Sequence, residues 1–402
     1  MKIIKREYYL NKLASVVLTH SIKVITGARR SGKSKIMEVF ADYLTSNDKK
    51  ANIIFVKLQL PQNKHLKKQE SLYAYITSKW IKNKNNYVLI DEIQDCEGFE
   101  ELVTGIYEEE KYDIYITGSN AFLLSSDLAT LFTGRTFQVH VMPFSFAEMI
   151  KYYEYERRDY EDAFDQYVMF GGFSGCYQYK TAKDKYNYIA NEVYAPIIQL
   201  DVLERNKVNK KTALKSISDF LIGNIGNTTN SLPITNYLNS KKVDISNKIT
   251  SKYIGYLTET YLFSRINRYD VIGKKYLSTD NKYYLCDHAI KYAMHGTKDL
   301  DYGRVNENIV YWELIRRGYE VYIGKYKNIE IDFICQSQKE RLYVQVSLDI
   351  DTDKTLAREL KPLLAIKDNY KKIIITRSRQ PEKEIDGIKI YSIINWLLNE
   401  GI

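Results

Sequence analysis

The eight residues Gly27-Ala28-Arg29-Arg30-Ser31-Gly32-Lys33-Ser34 constrain this chain more than any other stretch, because they satisfy G-x-x-x-x-G-K-[ST] without a gap. Glycines at the two fixed positions let the backbone turn so that successive N–H groups converge, a concavity that suits phosphate oxygens. The flanks agree with this reading. Ile22-Lys23-Val24-Ile25-Thr26 is apolar enough for a buried strand, and Lys33 to Leu44 has helical spacing. A strand that leaves such a turn as a helix sets the helix N-terminus, with its partial positive charge, behind the same concavity. Gly27 through Ser34 are therefore expected to cradle the phosphates of ATP or ADP. Lys33 would reach the β- and γ-phosphates, and Ser34 Oγ would ligate Mg²⁺.

A second apolar run, Tyr87-Val88-Leu89-Ile90, ends in Asp91-Glu92. A carboxylate at the tip of a buried strand is placed to hold Mg²⁺ through water, the role read for Asp91. Glu92 beside it is the candidate to polarise the attacking water, as a general base or a positioning group. Ile114-Tyr115-Ile116-Thr117-Gly118-Ser119-Asn120 is another strand with a small polar tip, so Ser119 and Asn120 are candidates to orient that water or touch the γ-phosphate. An ordinary Gly-Ser turn is the plainer alternative there. Arg135, in Thr133-Gly134-Arg135, is a candidate to reach the phosphate of a neighbouring subunit, against the reading of a surface arginine.

Around these motifs the pattern is α/β. Residues 1–150 alternate short apolar runs with amphipathic stretches, which predicts a parallel sheet with helices on both faces. Residues 151–210 read as a mainly helical lid. Residues 211–298 read as helices opening at Ser231-Leu232-Pro233 and after Ser246, followed by two strands: the order of a winged helix. From 299 to 402, a helix (Val305 to Arg317) and four apolar runs predict a second, smaller α/β unit. The chain has 402 residues, about two to four domains' worth. No stretch is apolar enough to span a bilayer, the basic and aromatic N-terminus does not read as a signal peptide, and the four cysteines form no CxxC pair. The expectation is a cytoplasmic protein with no membrane partner.

Gly27–Ser34, Ile90-Asp91-Glu92-Ile93-Gln94, Thr117-Gly118-Ser119, Thr133-Gly134-Arg135 and Pro143-Phe144-Ser145-Phe146-Ala147-Glu148 follow one another in this order. So do Gly171-Gly172-Phe173, Arg304-Val305-Asn306-Glu307-Asn308, Glu330-Ile331-Asp332-Phe333 and Arg358-Glu359-Leu360. The set resembles a family of bacterial and archaeal AAA+-superfamily P-loop ATPases near the STAND-like branch, and covers nearly the whole chain. The resemblance implies an ATPase core, a helical lid, a winged helix and a C-terminal domain similar to PD-(D/E)xK (restriction-endonuclease-like) nucleases. Such a nuclease holds Mg²⁺ with two acids and positions its nucleophile with a lysine. Here Glu307 and Asp332 match acidic positions, but the last strand reads Gln345-Val346-Ser347, with amide and hydroxyl in place of acid and lysine. The expectation is a catalytically dead fold.

The net charge of +9 permits contact with double-stranded DNA without demanding it. Lys241-Lys242-Val243-Asp244-Ile245-Ser246-Asn247-Lys248 opens the longest helix of the winged-helix region, and Arg205 to Lys211 is a second basic run. Tyr253, Tyr256, Leu257 and Tyr261 on or beside the same helix argue for core packing instead. Three functions follow: an ATPase whose nucleotide state controls domain arrangement or assembly, with DNA or a partner protein as its object; a non-hydrolysing nucleotide switch; and an ATP-dependent nuclease. An arginine finger at Arg135 would require an oligomer, while the STAND-like resemblance allows a closed monomer.

Overall fold

The computed structural model describes residues 4–119, 134–273, 275–297, 300–378 and 382–399. It divides into two compact units, residues 1–143 with 259–261, and residues 144–258 with 262–402.

The first unit holds five strands: β1 (Ile22–Thr26), β2 (Ala51–Lys57), β3 (Asn85–Asp91), β4 (Tyr112–Gly118) and β5 (Thr136–His140). They pair in the order β2-β3-β4-β1-β5, every pair parallel. Side chains alternate across a strand, so each apolar run feeds two cores. On one face Val24, Val88, Ile90, Ile114 and Ile116 pack with Leu72, Ile76, Leu102 and Ile106 from the helices α3 (Gln69–Ser78) and α4 (Phe99–Glu108). On the other, Ile25, Tyr87, Leu89, Tyr115 and Val139 pack with Tyr9, Leu13, Met37 and Phe40 from α1 (Glu7–Ala14) and α2 (Lys33–Asn47). This is the α/β core expected from the sequence. α1 is an addition, an element that the sequence reading did not assign.

In the second unit, eight strands form one mixed sheet: β6 (Phe263–Asp270), β7 (Lys275–Leu285), β8 (Glu320–Tyr326), β9 (Ile329–Gln336), β10 (Arg341–Ser347), β11 (Lys371–Thr376), β12 (Lys383–Ile385) and β13 (Ile388–Ser392). The order is β12-β13-β11-β10-β9-β8-β6-β7. Three helices, Lys211–Gly223, Ser231–Ser240 and Asn247–Glu259, precede the β6–β7 hairpin, as expected. The hairpin does not stand apart as a wing. β6 pairs in parallel with β8, joining Arg268 to Ile323 and Asp270 to Lys325. A two-stranded ribbon is marginal alone, and pairing with β8 satisfies its inner edge and buries Ile266 and Tyr269. The helix Tyr302–Arg316 is buried from Val305 to Leu314 and packs against β7–β10.

Two of the sequence signatures are structural here. Ser145 and Glu148 form a capping box: Glu148 N–H donates to Ser145 Oγ at 3.1 Å and Ser145 N–H to Glu148 Oε2 at 2.9 Å, starting the helix Phe146–Tyr153. Gly171 has φ +67°, and a Cβ there would meet Asp287 Oδ1 at 1.9 Å, while the next N–H, of Gly172, donates to Asp287 Oδ2 at 2.6 Å. Among the described residues no helix is long and apolar enough to cross a membrane.

Candidate functional site

The loop between β1 and α2 carries the site. Gly27 has φ +143°, and a Cβ there would lie 2.1 Å from the carbonyl oxygen of Val141, so only glycine lets the loop pass the chain that leaves β5. Gly32, with φ +100°, occupies the N-cap of α2. Lys33 and Ser34 are thereby the first two helical residues. Lys33 is 4% exposed; its ammonium donates to the carbonyls of Gly27 (3.0 Å) and Ala28 (3.1 Å) and lies 3.9 Å from Glu92 Oε1. Ser34 Oγ donates to Asp91 Oδ1 at 3.0 Å. The loop Ser31 hydroxyl is buried with no hydrogen-bond partner among the described residues. Arg29 is half-buried and Arg30 exposed, the latter with φ +68°.

The parallel sheet brings the β3 and β4 tips beside this loop. Asp91 ends β3. Its Oδ1 also accepts the Thr117 hydroxyl at 2.7 Å, and the same hydroxyl oxygen accepts the Glu92 N–H at 2.8 Å. Glu92 follows in the left-handed region, φ +57°, a strained conformation for a residue with a side chain; the Thr117 bond helps to hold it. The Gln94 side-chain amide donates to Glu92 Oε2. Burial pushes the Asp91 carboxyl above its ordinary pKa and the Glu92 charge adds to this, while the hydroxyls of Thr117 and Ser34 and the Lys33 ammonium act against it. Ser119 is 1% exposed and its hydroxyl has no hydrogen-bond partner among the described residues. Asn120 and Thr133 lie outside the described residues.

The geometry thus joins Lys33, Ser34, Asp91 and Glu92 in direct contact. It places Arg135 elsewhere. The Arg135 carbonyl accepts from Ile22 N–H at 2.7 Å, at the start of β1, whereas the loop follows the end of β1. Its guanidinium pairs with Glu108 at 2.7 Å and lies 5.4 Å from the Tyr107 ring centroid.

Three residues gain roles that the sequence did not assign. Thr117 fixes both acids, and Gln94 holds Glu92. Arg6, only 7% exposed, donates to the carbonyls of Ser31 (3.0 Å), Met142 (2.8 Å) and Pro143 (3.4 Å). It ties the phosphate loop to the chain leaving β5. Its guanidinium also stacks 4.5 Å from the Tyr9 centroid. Thr117 was legible as the polar residue one strand over from the acids; nothing local distinguishes Arg6 from the other basic residues near the N-terminus. Arg6→Ala removes these donors, so the loop loses preorganisation. ATP affinity is expected to fall by about tenfold, read by titration calorimetry, with near-normal turnover at saturating ATP.

Comparison with known proteins gives the family. A family model described as an AAA domain matches residues 19–150, and one described as a domain of unknown function (DUF8612) matches residues 161–301. An uncharacterized protein of Haemophilus influenzae is 37% identical over 399 residues, covering 98% of each chain. The uncharacterized protein MJ1544 of Methanocaldococcus jannaschii is 27% identical over 387 residues, covering 92% of this chain and 84% of that one. Among solved structures, the Aeropyrum pernix ORC1 protein in complex with DNA aligns over 73% of this chain and 92% of its own, at 13% identity and a TM-score of 0.33, a likeness too distant to bear on function. This chain belongs to the same family as the Haemophilus influenzae protein, and its N-terminal part is an AAA domain of the P-loop NTPase class.

Proposed function

We propose that the protein hydrolyses ATP at the Lys33–Ser34–Asp91–Glu92 site and that its nucleotide state controls domain arrangement or assembly. The observation that carries this reading is the pairing of these four side chains across two segments far apart in sequence, Ser34 with Asp91 and Lys33 with Glu92, with Thr117 of β4 fixing the acids from a third. The residues fit a nucleotide with Mg²⁺: a hydroxyl and a carboxylate oxygen 3.0 Å apart are hard ligands for the cation, and the buried Ser31 hydroxyl is an unused donor in the loop. Ser34 and Asp91 would hold the metal, which supplies neutralising charge across the phosphates. Lys33 exchanges its bonds to the Gly27 and Ala28 carbonyls for phosphate oxygens. Glu92 accepts the proton of the attacking water at a carboxylate oxygen, and Ser119 offers a hydroxyl to orient that water.

One observation favours the second reading, a switch with negligible turnover. Gln94 occupies Glu92 Oε2 and Lys33 lies near Oε1, so both oxygens of the base face a partner. Tight ADP binding without phosphate release from ATP would select it.

The object we infer is double-stranded DNA. Lys241, Lys242, Asn247, Lys248 and Lys252 are exposed, while Tyr253, Ile254 and Leu257 turn inward. Both sequence readings of the helix are thus supported, one on each face. The second basic run lies alongside: Lys210 Nζ donates to Asp244 Oδ2 at 3.0 Å and Lys210 N–H to the Tyr253 hydroxyl at 3.2 Å. Fluorescence anisotropy is expected to show salt-dependent binding of duplex DNA that weakens about tenfold in Lys248→Ala/Lys252→Ala, with a shallower salt slope. A variant that binds like wild type, or no binding at low salt, would leave a protein partner as the object.

A further inference from the structure

The second unit contains a buried ionic cluster that the sequence reading did not anticipate. Glu307 and Asp332 do come together, but the lysine missing from the strand of Gln345 and Ser347 arrives from β7. Lys282, fully buried, places its ammonium 2.8 Å from Glu307 Oε1, 2.9 Å from Glu330 Oε1 and 4.0 Å from Asp332 Oδ1. Arg304 adds a second cation, 3.0 Å from Glu307 Oε2.

We propose that Lys282 is a tethered cation standing where the nuclease resemblance would put a divalent metal, so that this cluster closes on itself and takes no metal ion. The argument is an inventory of acceptors. Glu307 Oε1 accepts from Lys282 and from the Tyr284 hydroxyl, and Oε2 from Arg304. Asp332 Oδ2 accepts the Val346 N–H at 2.9 Å. Glu330 Oε1 accepts from Lys282, and Oε2 accepts the Thr228 hydroxyl at 3.3 Å. The side-chain Oε1 of Gln345, the amide in the position of the second acid, accepts the Asp332 N–H at 3.4 Å. Mg²⁺ demands near-octahedral oxygen ligands at about 2.1 Å. Here five of the six carboxylate oxygens already accept from protein donors, the sixth, Asp332 Oδ1, lies 4.0 Å from the ammonium, and that ammonium repels a second cation. Burial alone would lower the Lys282 pKa, but the surrounding carboxylates outweigh it and hold the amine charged. Three carboxylates facing two cations leave little charge for a metal to neutralise.

The inference concerns the second unit alone and does not rest on the ATPase reading. Its test is thermal unfolding of the full chain without nucleotide, in an Asp91→Asn background that disables the other metal site, with chelator or with millimolar Mn²⁺. The parent is expected to unfold at the same temperature in both. Lys282→Ala leaves the carboxylates uncompensated, so its midpoint should fall by about 10 °C in chelator and recover substantially in Mn²⁺. That recovery should vanish in Lys282→Ala/Glu307→Gln. A Lys282→Ala protein that Mn²⁺ does not rescue would overturn the proposal. Should Lys282→Ala fail to fold, Mn²⁺ binding by the parent, followed by electron paramagnetic resonance, decides alone. No Glu307-dependent binding supports the tethered cation; a site lost in Glu307→Gln overturns it.

Discussion

Lys33→Ala should bind ATP at least a hundredfold more weakly than wild type. The ammonium is the buried cation at the head of α2, and charge-assisted bonds to phosphate contribute about 1.5–3 kcal/mol each, so losing two gives an effect of this size. Alanine is the best helix former, so α2 should persist, and the Gly27 and Ala28 carbonyls lose only a donor that nucleotide binding would itself remove. Titration of the variant with ATP and ADP, beside an unchanged far-ultraviolet circular dichroism spectrum, separates loss of the site from loss of fold. Wild-type affinity in Lys33→Ala would remove the assignment.

Glu92→Gln should separate binding from chemistry. The substitution keeps the shape of the side chain and removes its capacity to accept a proton. Removal of a general base typically costs about 10²- to 10⁴-fold in rate, and ATP affinity should stay within about threefold, since Lys33, Ser34 and the loop are untouched. Single-turnover phosphate release is the readout. A variant that keeps wild-type rates would transfer the role elsewhere, to Ser119 or a residue beyond the described ones.

Which parts of this arrangement could be read from the sequence depended on how far apart the interacting groups lie along the chain. Gly27–Ser34 and Asp91-Glu92 were legible because each is local. A loop flanked by strand and helix dictates its own geometry, and a strand buried on both faces, such as β3, carries an uninterrupted apolar run up to its acidic tip. Arg6 was not legible: its carbonyl partners lie 25, 136 and 137 residues away, and a backbone acceptor leaves no trace in the sequence. Lys282 was hidden for a related reason. Its partners Glu307 and Glu330 meet it only because the sheet order sets β7 beyond β6, β8 and β9 while the helix Tyr302–Arg316 crosses that face. The strand of Gln345 and Ser347 itself carries no lysine. The β6–β7 hairpin fits the same pattern. Two neighbouring apolar runs point to the pairing, but the partner that absorbs it into a larger sheet, β8, lies far downstream. Arg135 lies beside the start of β1, away from the phosphate loop of its own chain, a position that leaves only a role toward a neighbouring subunit for the motif to imply.

The central claim, that this is a working ATPase site, is tested most directly by Mg²⁺-dependent release of inorganic phosphate from ATP by the purified full-length chain, with Lys33→Ala prepared in parallel as the blank. The predicted result is steady turnover by wild type that chelation abolishes and that Lys33→Ala lacks. Equal release by the two proteins, or none from wild type under saturating ATP with and without duplex DNA, would contradict it.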